Sequence, residues 1–327
     1  MTFYVIGIDY RRTPIDIRET AYRRFDDISR FWDERTSQKT AILVTCNRIE
    51  IYGASGSQED ARHYADLFLD AFPDIFGDSY VLYGKKDVLG HAIRLAVGLE
   101  SQLIGEGQII EQLDRWHDQG SFPPQLYGFW HKAIGIGREI RKITGLWLDG
   151  PNVAELIYGD LAGRLDHDTK MRVIIVGTGK VAELFSGLCR HNLCLSFVAN
   201  KNRAKAQRLA RHSGGEAIIF EDLPAALVEA DAVVSATKSP HFIFNKNYFL
   251  DISLKRRKGI YVYDVAVPRD VEPDVGSIDG VVLKNLDDLA EIFSTRHAGV
   301  QDKIGLADYL IEEALEERRG DVICTRL

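Results

Sequence analysis

The amino-acid sequence predicts an α/β protein of two domains: an N-terminal α+β domain, then a doubly wound parallel-sheet domain, and a short C-terminal helix. Three observations carry that prediction. The first third mixes short β-rich runs with amphipathic stretches, the middle turns strongly helical, and from Met171 apolar runs alternate with helical text behind a glycine-rich turn. A chain of 327 residues is long enough for more than one core.

Taken in order, FYVIGIDY (3–10) reads as a strand and IRETAYRRFDD as a helix start. TAILVTCNRIEIYGAS reads as strand, break and strand, and DARHYADLFLDAF as an amphipathic helix. Between Val88 and Thr144 come three helical stretches, VLGHAIRLAVGL, QIIEQLDRW and FWHKAIGIGREIRKIT, with Pro123-Pro124 separating the last two. The apolar helix VAELIYGDLAGRL, set between LDGPN and HDTKM, marks the approach to the second domain. These signals place domains at 1–145 and 146–295, followed by a helical segment at 296–327.

Composition narrows the class. With 45% hydrophobic and 27% charged residues the chain is globular in type. It has neither a signal-peptide core nor an apolar run near the ~20 residues that span a bilayer. Cys46, Cys189, Cys194 and Cys324 lack CxxC spacing, so the expectation is a cytoplasmic protein with reduced thiols and no metal site. The net charge of −7 argues against a surface coated for nucleic acid, though not against a local patch. Two basic clusters, Arg138, Arg141 and Lys142, and Lys201, Arg203, Lys205 and Arg208, read first as solvated helix faces.

The second domain is announced by MRVIIVGTGKVAELF. A buried strand runs into Gly177-Thr178-Gly179 and then a helix opening at Lys180 and Val181, with Ala182 where a third glycine would stand. This is the GxGxxG/A fingerprint in its required context, and it identifies a Rossmann-type domain. Gly177 permits the tight turn, and Gly179 lets backbone approach a pyrophosphate at the helix N-terminus. LSFVAN, AIIF, ADAVVSAT and GIYVYDVAV supply the further strands. After the second strand an NAD site would carry an acid for the ribose 2′-hydroxyl. Here stand Asn200, Lys201, Asn202 and Arg203, which suit a 2′-phosphate and favour NADP.

In the first domain Cys46 ends an apolar run beside Thr45, Asn47 and Arg48. A thiol is nucleophilic as the thiolate, which cations stabilise. On an extended strand Arg48 shares a face with Cys46, or else reaches a substrate carboxylate. A cysteine nucleophile combined with a reduced nicotinamide suggests thioester formation followed by hydride reduction to an aldehyde. From the residues alone, a nucleophile and a buried structural cysteine remain equally open.

GIDYRRTPIDIRE, TCNRIEIY, HAIRLAVGLESQLIGEGQI, the glycine fingerprint, ADAVVSATKSPH and YDVAVPRDVEP together resemble the glutamyl-tRNA reductase family over about residues 3–290. The resemblance implies an NADPH-dependent reduction of glutamyl-tRNA to glutamate-1-semialdehyde, the first step of five-carbon tetrapyrrole synthesis, without metal or flavin. It implies that Cys46 is the nucleophile and His91 the proton-transfer group. Thr45, Asn47, Arg48, Ser101, Glu106 and Gln108 would then contact substrate. Ser101 and Gln108, seven apart, would share a face if their segment is helical. Ala236 and Thr237 join the cofactor residues, with Ser235, Ser239 and Pro240 in a loop on the nicotinamide side. Asp264, Pro268 and Arg269 would close the same cleft.

The chain departs from the family pattern at Val44, Ile49 and Gly107, and in the Asn-Lys-Asn-Arg text. Family members also continue into a helical dimerisation domain, so the expectation is a truncated C-terminal segment and a monomer or atypical dimer. A glutamate-1-semialdehyde aminomutase is the implied partner. Two alternatives stand beside the enzyme: a paralogue reducing another acyl donor, and a non-catalytic relative binding tRNA or a pathway protein.

Overall fold

The computed structural model describes residues 1–35, 40–105, 107–119, 122–146, 152–164, 170–188, 192–199, 202–296 and 300–316. The chain forms two compact units, Met1–Gly150 with His297–Leu327, and Pro151–Arg296.

The first unit is built on a four-stranded antiparallel sheet of β1 (Thr2–Asp9), β2 (Ala41–Val44), β3 (Arg48–Ser55) and β4 (Tyr80–Tyr83), in the order β2-β3-β1-β4. Strand side chains alternate between faces, and β1 is apolar on both. Tyr4, Ile6 and Ile8 pack with α1 (Ile15–Arg23), α2 (Phe25–Arg35), α3 (Gln58–Ala71) and the single turn α4 (Pro73–Phe76). Phe3 and Val5 face α5 (Lys85–Val97), α6 (Gln108–Gln119) and α7 (Pro124–Thr144). The sheet is therefore buried on both sides, which explains the near-continuous apolar text of FYVIGI. Helix α5 is buried at Val88, Leu89, Ala92, Ile93, Leu95, Ala96 and Val97, so it lies inside the unit and carries His91 with it. Trp130 of α7 anchors this layer, its ring 4.8 Å from that of Tyr52 and 4.9 Å from that of Trp116.

The second unit is a six-stranded, wholly parallel sheet: β5 (Met171–Val176), β6 (Leu193–Val198), β7 (Glu216–Ile218), β8 (Ala232–Ser235), β9 (Ile260–Asp264) and β10 (Val281–Asn285). Their order is β10-β9-β8-β5-β6-β7. That is the doubly wound Rossmann order, with its reversal between β5 and β8. The connecting helices are α8 (Val153–Ala162), α9 (Lys180–Ser186), α10 (Arg203–Ser213), α11 (Leu223–Glu229), α12 (Lys246–Ser253) and α13 (Leu286–Arg296).

The segment at 296–327 contributes α14 (Gln301–Glu316) to the first unit. Val300, Ala307 and Ile311 enter the core shared with α5 and α7, and Arg94 of α5 pairs with Asp308. Apolar spacing along one helix face drives this docking.

Replacing the fully buried Trp130 by alanine removes the centre of the aromatic layer. The expected loss is about 3–5 kcal/mol, read as a lower urea midpoint for unfolding of the first unit.

Candidate active site

The hairpin joining β2 to β3 places Cys46 at its turn. Thr45 N donates to Arg48 O at 3.0 Å, Asn47 N donates to Thr45 Oγ1 at 3.2 Å, and Tyr10 N donates to Asn47 O at 2.9 Å. From α1 the buried Arg18 donates through Nη1 to Cys46 O at 3.0 Å and through Nε to Thr13 O at 3.1 Å. Every one of these bonds holds the backbone, which leaves the half-buried Cys46 side chain on a fixed turn outside any disulfide. The Asn47 amide oxygen is buried and has no hydrogen-bond partner among the described residues.

Along β3, Arg48, Glu50 and Tyr52 share the face turned toward α5. Glu50 is fully buried and collects four donors. Arg48 Nη1 lies at 2.7 Å, Tyr52 OH at 2.5 Å and His91 Nε2 at 2.9 Å, and Tyr80 OH donates as well. Burial alone would raise the Glu50 carboxyl, but the His91 and Arg48 charges outweigh it and hold Glu50 well below the usual carboxylate range. An ionised carboxylate only accepts, so His91 Nε2 carries the proton, and Nδ1 is the nitrogen left for chemistry when the ring is neutral. Burial, reinforced by the Glu50 charge, keeps Tyr52 and Tyr80 protonated as donors. Gly7 makes this convergence possible. It stands in register between Glu50 and Tyr80, and a Cβ there would lie 2.7 Å from the Tyr80 ring.

Arg48 is turned inward. It is 2% exposed, gives Nη1 to Glu50 and Nη2 to the Glu100 carbonyl, and so braces the turn rather than offering a charge. The cause is the pleat, which turns position 48 inward together with 50 and 52.

The segment after α5 is irregular rather than helical, so Ser101 and Gln108 share no helix face. Cations grip its carbonyls instead. Arg11 Nη2 donates to Leu99 O at 3.0 Å, and Arg141 donates to Val97 O at 2.8 Å and to Gly105 O at 3.2 Å. Arg141 is thus buried and structural, not part of a solvated basic face, while Arg138 pairs with Asp114. Ser101 is buried and Gln108 opens α6 half-buried, whereas Glu106 lies outside the described residues. Glu100 binds Arg11 and Arg94. Burial would raise its carboxyl, but the Arg94 hydrogen bond and the Arg11 charge bring it below the ordinary value. A cavity of about 560 Å³ opens beside His91, lined also by Arg11, Arg12, Arg94, Glu100 and Asp308.

Sequence reasoning missed Glu50, Tyr52 and Tyr80. The polar-apolar alternation of RIEIY points to the first two, while Tyr80 carries no local signal.

In the second unit Gly177 has φ 111°, and a Cβ there would stand 2.4 Å from Ala236 O. Gly179 caps α9 without a side-chain cap, and apart from its chain neighbours no atom of the described residues lies within 4 Å of where its Cβ would be. Uncapped amides beside open space fit a dinucleotide pyrophosphate. Thr178 and Val181 are half-buried here and Lys180 is exposed; Ala236 and Thr237 line the opposite loop, half-buried. Beyond β6 no acid stands among the described residues near the ribose position. Asn202 caps α10, its side chain accepting from Lys205 N at 3.1 Å, so its oxygen is already engaged; Arg203 is exposed. Asn200 and Lys201 lie outside the described residues.

Glu50→Gln removes the charge that four neighbours are built around. A loss of about 3–5 kcal/mol is expected, because Arg48 is left buried and uncompensated. The native carboxyl sits below its unfolded value of about 4.3, so the folded form binds fewer protons than the unfolded one. Its contribution is complete above that value and fades as pH falls further. Thermal midpoints measured from pH 7 to pH 3 should therefore fall less steeply in the variant than in the unaltered chain.

Comparison with known proteins agrees across both units. Residues 6–144 match the model of the glutamyl-tRNA reductase N-terminal domain, and residues 160–292 match that of shikimate/quinate 5-dehydrogenase. Glutamyl-tRNA reductase of Thermus thermophilus is 33% identical over 96% of this chain and 79% of its own length. That of Heliobacterium mobile is 27% identical over 97% and 75%. The solved glutamyl-tRNA reductase from Methanopyrus kandleri superposes with a TM-score of 0.50 at 28% identity, covering 96% of this chain and 78% of that one. Among the described residues no helix is long and apolar enough to cross a membrane. The chain belongs to the glutamyl-tRNA reductase family.

Proposed function

We propose that this protein reduces glutamyl-tRNA to glutamate-1-semialdehyde through a thioester on Cys46, with NADPH as the reductant. The observation that carries the reading is a half-buried cysteine on a rigid hairpin turn, in a chain that matches glutamyl-tRNA reductases from end to end of its two units.

Cys46 Sγ attacks the ester carbonyl carbon that links glutamate to the terminal ribose. The C–O bond breaks, the ribose oxygen leaves with a proton, and an acyl–sulfur bond remains. His91 is the group assigned to that proton, because Glu50 fixes Nε2 as a donor and leaves Nδ1 to exchange protons. Asn47 Oδ1 supplies an acceptor that lacks a partner of its own, suited to the substrate α-ammonium. Thr45 flanks it, half-buried, while Arg48 holds the Glu100 carbonyl beside them. NADPH, when bound, supplies the hydride that converts the thioester to the aldehyde and returns the Cys46 sulfur. Gly177, Thr178, Gly179, Lys180 and Val181 would cradle its pyrophosphate, and Asn202 and Arg203 would face its 2′-phosphate. A glutamate-1-semialdehyde aminomutase is the partner whose chemistry consumes this product.

Incubation with glutamyl-tRNA and no NADPH should leave a labelled glutamyl group on the protein that hydroxylamine removes. Cys46→Ser should abolish both the label and the aldehyde, and label persisting in the variant would defeat the assignment. Arg203→Ala should weaken NADPH by roughly tenfold, the size of one lost charge-assisted bond, with NADH affinity unchanged when both are measured by fluorescence titration.

A further inference from the structure

The parallel sheet of the second unit ends in two buried carboxyls that the reaction above does not use. Asp264 closes β9 at 1% exposure, and Asp270 follows six residues later at 0%. In the sheet register Val176, Ser235 and Asp264 lie side by side on β5, β8 and β9. The next residues continue the ladder, with Ala236 N donating to Val176 O and Val265 N to Ser235 O, each at 2.9 Å. This carboxyl edge, at the β5/β8 reversal, is where a doubly wound sheet receives a dinucleotide.

Asp270 gathers the far wall of that crevice. Its Oδ2 accepts from Ser235 Oγ at 2.7 Å and Thr237 N at 2.9 Å, and its Oδ1 accepts from Thr237 Oγ1 at 2.6 Å. Its main-chain oxygen accepts from Ile243 N at 2.6 Å and Phe244 N at 3.0 Å. One residue thereby closes both ends of the loop from Ser235 to Phe244. Within the loop, Thr237 Oγ1 also accepts from Ser239 N at 3.0 Å. Ala236 O is the atom a Cβ on Gly177 would strike, so the loop and the glycine turn sit against each other.

Asp264 serves the same corner from beneath. It accepts from Ala266 N at 3.1 Å and Val271 N at 2.8 Å, which pins the turn carrying Asp270. Burial pushes the Asp264 carboxyl up to about 7, against the Val271 amide, and the neighbouring Asp270 charge adds to the rise. Two adjoining buried carboxyls are costly to keep. Simple loop closure would be met as well by neutral side chains.

We propose that Asp270 is a positioning residue for the nicotinamide half of the cofactor, holding the Ser235–Phe244 loop as the wall opposite Gly177. The proposal rests on the NADPH reading. The adenosine half lies over β6, toward Asn202 and Arg203, on the other side of the reversal. A defect at Asp270 should therefore split the cofactor in two energetically.

The test is titration of the full chain with NADPH and with adenosine 2′,5′-bisphosphate, which carries the phosphorylated adenosine and no nicotinamide. Asp270→Asn keeps the shape of the side chain but replaces one acceptor by a donor facing Thr237. It should weaken NADPH at least tenfold and change bisphosphate affinity less than twofold. Thr237→Val, which removes only the hydroxyl, should show the same split in a smaller degree and serves if the first variant does not fold. Unchanged NADPH affinity in a folded variant, or equal loss for both ligands, would overturn the proposal alone. Failure of the unaltered chain to bind NADPH at all would overturn the cofactor reading, and this proposal with it.

Discussion

The first unit depends on a carboxylate buried where water cannot reach it. Glu50 would be ruinous to fold around if it stood alone. It is tolerated because Arg48, Tyr52, Tyr80 and His91 all donate to it. Those donors come from β3, β4 and α5, so satisfying the charge also fixes how the sheet meets its helix. Gly7, by lacking a side chain, keeps the space through which β4 reaches β3. Arg48 then carries the constraint further by gripping the Glu100 carbonyl. The hairpin turn with Cys46, the imidazole of His91 and the segment after α5 thereby become one mechanical object.

The second unit solves a similar problem with different groups. Asp270 is held by hydroxyls and amides, and what it organises is a loop rather than a helix. Cations suit the first unit because Glu50 and Glu100 are both pulled below the usual carboxylate range by their neighbours. Burial raises Asp264 and Asp270 instead, and the amides and hydroxyls around them do not reverse it. A carboxyl group is thus kept charged in one place and pressed toward neutrality in the other, by its environment.

Local text made the strand-break-strand at Cys46, the parallel run behind Gly177 and the lack of an acid after β6 legible, because each depends on neighbours within a few residues. Arg48 shows where that reading ended. Its face was deducible from the pleat, but its partner was not, since Glu100 lies 52 residues away. Tyr80 and His91 reach Glu50 over 30 and 41 residues. Their convergence follows from the strand order β3-β1-β4, which no pattern in TCNRIEIY encodes. Asn202 illustrates the opposite case: as a residue favoured at helix N-termini, it could have been read as a cap for the helix starting at Arg203. Which unit α14 packs on was hidden for a further reason. An amphipathic helix states that it needs an apolar partner without saying which one.

These constraints explain why the cysteine stands at a turn. In the proposed reaction the thiol must meet an ester carbonyl and so has to be reachable, yet on a loose loop it would lose the orientation that makes the encounter productive. β3 is buried from Arg48 to Gly53, so a cysteine there would be sealed in. The turn is the nearest position that is open, and turns are ordinarily mobile. Here Arg18 from α1, Tyr10 from the end of β1 and the Thr45–Arg48 bond restrain its backbone from three directions. Arg48 ties that restrained turn to the buried carboxylate. An inward-facing guanidinium two residues from Cys46 therefore braces the turn from within, through Glu50 and the Glu100 carbonyl.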